Sequence, residues 1–321
     1  MTGKPEALLI GPMRPVLAKG FADFTVHLLP AANRDAFFAA NAHLRAVAVS
    51  APVESVNDAL FARLPNLQII SSFGVGYDHI DANAAAKRGI VLTHTPDVLT
   101  EEVADTAIGL LLCTVRELPQ AERYLRAGKW SKGNYPLSRA TLRNRTVGLV
   151  GMGRIGLAIA RRLDAFGVPV VYHTRTKRPE LVYRHYATLV DMARDVDTLI
   201  AIVPGGAETR DMIDARVLDA LGPDGIVINV ARGSVVHERA LIAALKERKI
   251  MAAGLDVFVN EPEVSPELLT MDNVVLLPHL GSASVYTREK MDQLLVDNIL
   301  AWAAGKPPLT PVPETPWREW K

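Results

Sequence analysis

Short apolar and β-branched runs alternate along the chain with stretches whose apolar residues recur at helical spacing. Strands that alternate with helices in this way are typical of a parallel sheet covered by helices. In the first third, the pattern predicts strands near Leu8–Ile10, His27–Leu29, Val47–Val49, Leu67–Ile70 and Val91–Thr93, and helices near Arg34–Ala42, Asn57–Arg63 and Asp81–Arg88.

A long helical pattern begins at Thr100, where acidic residues suit the positive end of a helix, and continues towards Arg126 with a bend near Pro119. The last long helical pattern of the chain covers Val285–Ala304. Between them the predicted strands lie near Thr146–Val150, Val168–Tyr172, Thr198–Val203, Ile226–Val230, Ala253–Phe258 and Val274–Leu277. The pattern therefore predicts an α/β protein with two doubly wound parallel-sheet domains of Rossmann-like type.

Composition narrows the possible functions. The 321 residues suit two domains, and 49% hydrophobic residues, 22% charged residues and a net charge of +1 favour neither disorder nor a nucleic-acid partner. The single cysteine, Cys113, lies in an apolar run that predicts a buried helix face, which excludes disulfides and cysteine-metal clusters. Because the sequence shows neither a signal peptide nor an apolar run of membrane-spanning length, we expect a soluble, cytoplasmic protein without a membrane partner.

A glycine motif indicates a dinucleotide site. The strand ending at Val150 runs into Gly151-Met152-Gly153-Arg154-Ile155-Gly156 and then into an amphipathic helix, Leu157–Phe166. Gly151 would allow a tight turn, and Gly153 would allow a pyrophosphate to approach the backbone. Gly156 would allow the helix to pack closely on the strand. The phosphates would then lie at the N-terminus of the helix. A glycine-rich turn without a ligand is the alternative, which the flanking strands and helix disfavour.

The residues after the next strand favour NADP(H) over NAD(H). An acidic residue at that strand end would bind the ribose 2′-hydroxyl of NAD and repel a 2′-phosphate. The stretch here, His173-Thr174-Arg175-Thr176-Lys177-Arg178, contains three cations, two hydroxyls and no carboxylate. Arg175, with Thr174 and Thr176, is therefore predicted to hold the phosphate. The alternative is an ordinary solvated basic loop.

Three polar residues follow successive predicted strands and so share the sheet edge where open α/β sheets bind ligands. For reduction of a 2-keto acid, Arg232 is predicted to bind the substrate carboxylate and keto oxygen, and His279 to donate the proton. Glu261 is predicted to raise the pKa of that histidine. Each residue taken alone has a purely structural alternative, but their common position disfavours it. Asp256, placed on the strand before Glu261, is predicted to accept a hydrogen bond from the nicotinamide carboxamide.

The other histidines show no spacing typical of metal ligands, so no metal is expected. They are His27, His43, His79, His94, His173, His185 and His237.

Motifs along nearly the whole chain resemble those of the D-isomer-specific 2-hydroxy acid dehydrogenase family, in particular its glyoxylate/hydroxypyruvate reductase branch. Besides the glycine motif, the resemblance rests on Gly74-Val75-Gly76-Tyr77-Asp78-His79-Ile80-Asp81, Thr95-Pro96-Asp97-Val98-Leu99-Thr100, Asn229-Val230-Ala231-Arg232-Gly233, Gly254-Leu255-Asp256-Val257-Phe258 with Asn260-Glu261-Pro262, and Pro278-His279-Leu280-Gly281-Ser282-Ala283.

This resemblance implies a discontinuous substrate domain, residues 1–98 and 288–321, a dinucleotide-binding domain, residues 99–287, and a cleft between them. It implies that backbone N–H groups of Val75 and Gly76 hold the substrate carboxylate. It also implies a homodimer with the long helix after Thr100 in its interface. The cofactor-lining residues that it adds are Val203, Pro204, Thr209, Val230, Ala231 and Gly281.

The substrates that the resemblance implies are glyoxylate and hydroxypyruvate. Tyr135 and Tyr286 depart from what the family leads us to expect near the substrate, so substrate size stays open.

Glu261 disfavours a formate dehydrogenase, whose relatives pair the histidine with glutamine. A 3-phosphoglycerate dehydrogenase would use NAD and need another cationic site. A nucleotide-sensing, corepressor-like binding protein is the alternative outside the enzymes.

Overall fold

In the part of the chain that the structure describes, the strands form two parallel sheets, each covered by helices. This computed structural model describes residues 4–51 and 55–317, so the predicted domain bounds at residues 1 and 321 lie outside the described residues. The first unit comprises the described residues up to Leu99 together with those from Ser284 onward, and the second is Thr100–Ala283. The predicted fold class is confirmed, whereas the assignment of substrate and cofactor roles to the two units stays a prediction.

The first unit is built on a parallel sheet of order β2-β1-β3-β4-β5. Its central strands are buried along most of their length, as expected for a sheet covered on both faces. The strands are β1 (Glu6–Ile10), β2 (Thr25–Leu28), β3 (Ala46–Val49), β4 (Ile69–Ser72) and β5 (Val91–Thr93), and the helices are α1 (Pro15–Gly20), α2 (Arg34–Ala40), α3 (Asp58–Arg63), α4 (Ala82–Lys87) and, from the end of the chain, α12 (Val285–Ala303).

The second unit has a parallel sheet of order β12-β11-β10-β9-β6-β7-β8, with apolar cores on both faces. Its strands are β6 (Val147–Val150), β7 (Val170–His173), β8 (Arg184–Tyr186), β9 (Thr198–Ala201), β10 (Ile226–Asn229), β11 (Ala252–Leu255) and β12 (Val274–Leu276). Its helices are α5 (Thr100–Arg116), α6 (Leu118–Arg126), α7 (Arg154–Ala165), α8 (Leu189–Asp195), α9 (Ala215–Leu221), α10 (Glu238–Lys246) and α11 (Pro266–Thr270).

Several boundaries differ from the prediction. The long helix breaks at Glu117, which has a left-handed φ of 53°, and Pro119 lies in the first turn of α6, where its missing N–H costs no hydrogen bond. Strand β4 extends to Ser72, because Ser71 satisfies its hydroxyl inside the unit by donating to the Leu295 carbonyl. Cys113 is half-buried on α5 rather than buried.

Two short elements, α1 and β8, were not predicted, because too few residues show a period there. Within residues 4–51 and 55–317, none of the helices combines the length and the apolar character that crossing a membrane would require.

Candidate active site

The carboxyl ends of β10, β11 and β12 lie side by side in the second sheet, and each is followed by one of the predicted catalytic residues. Arg232 follows β10, Glu261 follows β11 and His279 follows β12. In parallel strands the carboxyl ends share one edge, so order in sequence becomes proximity in space.

His279 and Glu261 form a direct pair. The imidazole Nδ1 lies 2.6 Å from Glu261 Oε2. The exposed fractions of the two side chains are 45% and 33%, so the pair is accessible from solvent while partly enclosed. Since Nδ1 is engaged by the carboxylate, the other ring nitrogen, Nε2, is the one available to a substrate.

Glu261 is also held by the backbone, because its Oε1 accepts a hydrogen bond from the Phe258 N–H at 3.0 Å. Burial raises the pKa of Glu261, but the hydrogen bonds from His279 and Phe258 and the positive charges of His279 and Arg232 outweigh it and lower the pKa overall. The carboxylate is therefore ionised at neutral pH and presents a negative charge to the imidazole.

Asp256 orders the turn that carries the histidine. It lies just after β11 rather than on a strand, because the ladder with β12 ends at Leu255. Its Oδ1 accepts from the Leu280 N–H at 2.8 Å and its Oδ2 from the Gly281 N–H at 2.9 Å. The side chain is buried, and this burial raises the pKa of Asp256 more than the two hydrogen bonds lower it. The predicted contact with the nicotinamide carboxamide stays a prediction.

The turn of Arg232 is braced by a neighbouring amide. Asn229 accepts from the Ala231 N–H at 3.0 Å and donates to the Arg232 carbonyl at 2.9 Å, so both ends of the turn are tied to one buried side chain. Gly233 is required next to it, because a Cβ there would come within 2.0 Å of the Phe258 carbonyl carbon. The absence of that Cβ lets the Arg232 turn approach the segment that holds Glu261.

The glycine motif adopts the geometry of a nucleotide-binding turn. Gly151 has a φ of 108°, and a Cβ at Gly156 would lie 2.6 Å from the Gly151 carbonyl oxygen. At Gly153, by contrast, no described atom lies within 4 Å of the Cβ that an alanine would carry. The N-terminus of α7 receives no side-chain cap from Gly153. The turn therefore leaves room beside Gly153 at the N-terminus of α7, the end of a helix that binds the phosphates of a nucleotide.

The loop after β7 contains the predicted phosphate clamp. Arg175 is 80% exposed and forms an ion pair with Glu208, which comes from the loop after β9. Arg178 instead donates to the Met152 carbonyl of the glycine turn and to Glu180, so its charge is engaged locally. Of the residues predicted to bind the phosphate, Arg175 is thus the extended cation, and a carboxylate that sequence reasoning did not anticipate lies against it.

The loop after β9 is closed on itself. Thr209 donates through its hydroxyl to the Pro204 carbonyl at 2.7 Å, and its N–H donates to the Gly206 carbonyl at 3.3 Å. Val203 is half-buried beside Gly151, as the approach of its side chain to that glycine shows. Val203, one of the predicted cofactor-lining residues of this loop, therefore adjoins the glycine turn.

In the first unit, the predicted carboxylate-binding loop follows β4. Gly74 has a φ of 125°, and its N–H donates to the Thr95 hydroxyl at 2.8 Å. The Val75 carbonyl lies 2.9 Å from the Nδ1 of His94. The backbone around Val75 and Gly76 is thus fixed by neighbouring strand-end residues.

The two tyrosines flagged in the sequence have different surroundings. Tyr135 is half-buried in the second unit, where its hydroxyl donates to Glu117 at 3.0 Å and its ring meets that of Tyr124 edge-on. Tyr286 is 71% exposed in the first turn of α12. A role for either in substrate choice stays a prediction.

The sequence did not predict the bracing role of Asn229, the hydrogen bonds of Asp256 to the histidine turn, or the position of Glu208 against Arg175. A signal existed for the first two, because polar side chains at the end of buried strands must find hydrogen-bond partners. For Glu208 no local signal exists, since its partner is 33 residues away.

Known proteins resemble this chain over most of its length. Residues 108–281 match the family model described as D-isomer specific 2-hydroxyacid dehydrogenase, NAD binding domain. The chain is 48% identical over 253 residues to a glyoxylate/hydroxypyruvate reductase A of Arabidopsis thaliana, covering 79% of this chain and 80% of that protein. It is 40% identical over 313 residues to a 2-ketogluconate reductase of Gluconobacter oxydans, and this match covers 97% of this chain and 100% of that protein.

Among solved structures, the chain resembles an NADPH-dependent glyoxylate/hydroxypyruvate reductase of Sinorhizobium meliloti in complex with NADP and malonate. The TM-score is 0.95 at 52% identity, and the match covers 99% of this chain and 100% of that one. The similarity therefore extends over both units.

Proposed function

This chain belongs to the D-isomer-specific 2-hydroxyacid dehydrogenase family, and we propose that it reduces small 2-keto acids, namely glyoxylate and hydroxypyruvate, with NADPH. Reduction of 2-keto acids is the activity common to the relatives named above. The observation that carries the finer proposal is the Glu261–His279 pair at 2.6 Å, with Arg232 close enough to lower the pKa of that glutamate, on the same sheet edge as the glycine turn.

The roles of the three residues follow from charge. Arg232 binds the carboxylate and the keto oxygen of the substrate, because a guanidinium offers several donors in one plane. His279 donates a proton from Nε2 to the keto oxygen, and the ionised Glu261 stabilises the imidazolium that supplies it. When bound, NADPH would supply the hydride. One hydride added to the carbonyl carbon and one proton added to the carbonyl oxygen together convert the aldehyde or ketone group of the substrate to a hydroxyl group.

The nucleotide preference rests on the loop after β7. We assign Arg175, with Thr174 and Thr176, to the 2′-phosphate, because Arg175 is a largely exposed cation whose planar guanidinium can bind a phosphate through two hydrogen bonds. The glycine turn fits the pyrophosphate, since the space beside Gly153 is open. The relative that is described as NADPH-dependent supports the same preference.

Substrate contacts from the backbone of Val75 and Gly76 are part of the proposal, on the strength of the family resemblance.

A homodimer is proposed on the ground of the same family resemblance. Every residue of α6 is at least partly exposed, and large apolar side chains on it and just after it face solvent in this chain: Leu118, Leu125, Trp130 and Leu137. Such a surface is typical of a protein interface.

The test is a set of initial rates with NADPH and NADH against glyoxylate, hydroxypyruvate, pyruvate, phenylpyruvate and oxaloacetate. We expect kcat/KM to be highest with NADPH and one of the first two acids. Higher values with NADH would contradict the cofactor assignment, and higher values with phenylpyruvate would contradict the assignment of a small substrate. If NADPH binds but none of the acids is turned over, the corepressor-like alternative is favoured.

A further inference from the structure

Glu208 supplies a carboxylate at a place where the local sequence has none. The six residues from His173 to Arg178 contain no acid, which is why the loop after β7 favours a phosphate. In the folded chain, however, the loop after β9 brings Glu208 into an ion pair with Arg175. The negative charge that NAD-binding folds place at this strand end is thus present in space, although it is absent from the local sequence.

The backbone on each side of this pair is anchored. The turn that carries Glu208 is closed by the two bonds of Thr209 to Pro204 and Gly206. On the other side, Thr174 donates to the Thr176 carbonyl at 2.7 Å, and the Thr174 carbonyl lies 3.0 Å from the His185 ring. The backbone of each loop is therefore fixed by its own hydrogen bonds, while the charged side chains themselves are 80% and 73% exposed and able to change partners.

The pair also spans the site of the nucleotide. Strands β7 and β9 flank β6 in the sheet, so a contact between the loops that follow them crosses the carboxyl end of β6. That end is where the glycine turn begins at Gly151. A nucleotide held by the glycine turn and the loop after β7 therefore meets both Arg175 and Glu208.

We propose that Glu208 is a specificity-determining residue that limits the preference for NADPH over NADH by competing with the 2′-phosphate for Arg175. The proposal rests on the proposed function, in which Arg175 binds that phosphate. NADPH has to displace the carboxylate from the guanidinium and then tolerate it as a like charge nearby. NADH carries a 2′-hydroxyl in the same position, which can donate to the carboxylate.

The size of the effect follows from the charges involved. The phosphate carries about −1.5 to −2 charges at neutral pH, and like charges several ångströms apart in water repel by roughly one kcal/mol. Neutralising the glutamate should therefore tighten NADPH binding by about 3- to 10-fold. The affinity for NADH should stay unchanged or fall.

The experiment measures the dissociation constants of NADPH and NADH by titration calorimetry, without substrate, for the wild type, Glu208→Gln and Glu208→Ala. The matched control is Glu267→Gln, which breaks another exposed ion pair of the same unit, with Lys246. We expect both Glu208 variants to increase the ratio of NADH to NADPH dissociation constants about 3- to 10-fold, and the control to leave it unchanged. The gain should shrink between about 0.01 M and about 1 M salt, because the repulsion is screened.

Arg175→Ala separates this proposal from the one on which it rests. If this variant weakens NADPH binding much more than NADH binding, the clamp stands. The role proposed for Glu208 is then overturned if the Glu208 variants leave the ratio unchanged, which means no discrimination, or lower it, which means that Glu208 favours NADPH. If Arg175→Ala weakens both nucleotides equally, the clamp is wrong and the role of Glu208 is overturned with it. Both side chains are exposed, so equal thermal midpoints of the variants are expected and can be checked.

Discussion

The two ends of one sheet edge in the second unit are built differently. At the ends of β11 and β12, the His279 ring is bonded to Glu261, and Glu261 is held in turn by the Phe258 N–H. At β7 and β9, Arg175 and Glu208 are exposed and bonded to each other. The first end fixes the positions of its charges, whereas the second leaves them exchangeable.

This difference corresponds to the chemistry proposed for each end. Proton transfer requires a donor at hydrogen-bond distance from one atom, so the imidazole needs a fixed orientation. Recognition of a phosphate at a ribose requires a cation that can reach it, and an exposed ion pair is weak enough to be replaced. Variants at the two ends should therefore affect different measurable quantities.

The largest effect is expected for His279→Ala. Without the proton donor, kcat should fall by about 10²- to 10⁴-fold, the usual contribution of a positioned acid. The dissociation constant of NADPH should stay within a factor of about two, because the residue belongs to the other end of the edge. Near-normal turnover in this variant would show that another group donates the proton.

A smaller effect, confined to nucleotide binding, is expected for Gly153→Ala. The added methyl meets no described atom of the protein, and φ at Gly153 is −76°, which alanine adopts without strain. The thermal midpoint should therefore be unchanged, while NADPH binding weakens by roughly 10- to 100-fold, if a pyrophosphate lies against this backbone.

Gly156→Ala provides the contrast. Its methyl would lie 2.6 Å from the Gly151 carbonyl oxygen, so the midpoint itself should fall. Unchanged NADPH affinity in Gly153→Ala would place the pyrophosphate elsewhere.

The smallest effect is expected for Glu261→Gln. The carboxylate stabilises the imidazolium, so its loss should move the alkaline limb of the reduction rate to lower pH by about one unit. Folding lowers the pKa of Glu261 below its usual value of 4.5. Its ionised form therefore stabilises the folded state fully above pH 4.5, and this contribution to the free energy of unfolding is lost as the pH falls through the lower pKa of the folded state.

The measurements are pH profiles of kcat/KM and of the thermal midpoint for the wild type and Glu261→Gln. The thermal midpoint of Glu261→Gln should fall less on acidification than that of the wild type, because the variant has no carboxylate at this position to protonate. An alkaline limb that does not move would mean that another group controls the protonation of the histidine.

Much of the fold could be predicted from the sequence, because it depends on local patterns. Apolar runs alternating with helical periods predict parallel sheets, and the glycine spacing 151, 153 and 156 predicts a turn and a helix N-terminus. The candidate catalytic residues could be chosen for the same reason, since residues after successive parallel strands reach one edge. Predicted ends were less accurate where polar residues such as Ser71 complete a buried strand.

What the sequence by itself determined is therefore the class of fold, the glycine turn and the order of Arg232, Glu261 and His279 along one edge. Only the tertiary structure decided that both oxygens of Asp256 hold the histidine turn, and that Glu208 lies against Arg175. The physical reason is that periodicity and turn chemistry act between near neighbours in the chain. Hydrogen bonds and ion pairs between loops depend on which strands the sheet places side by side.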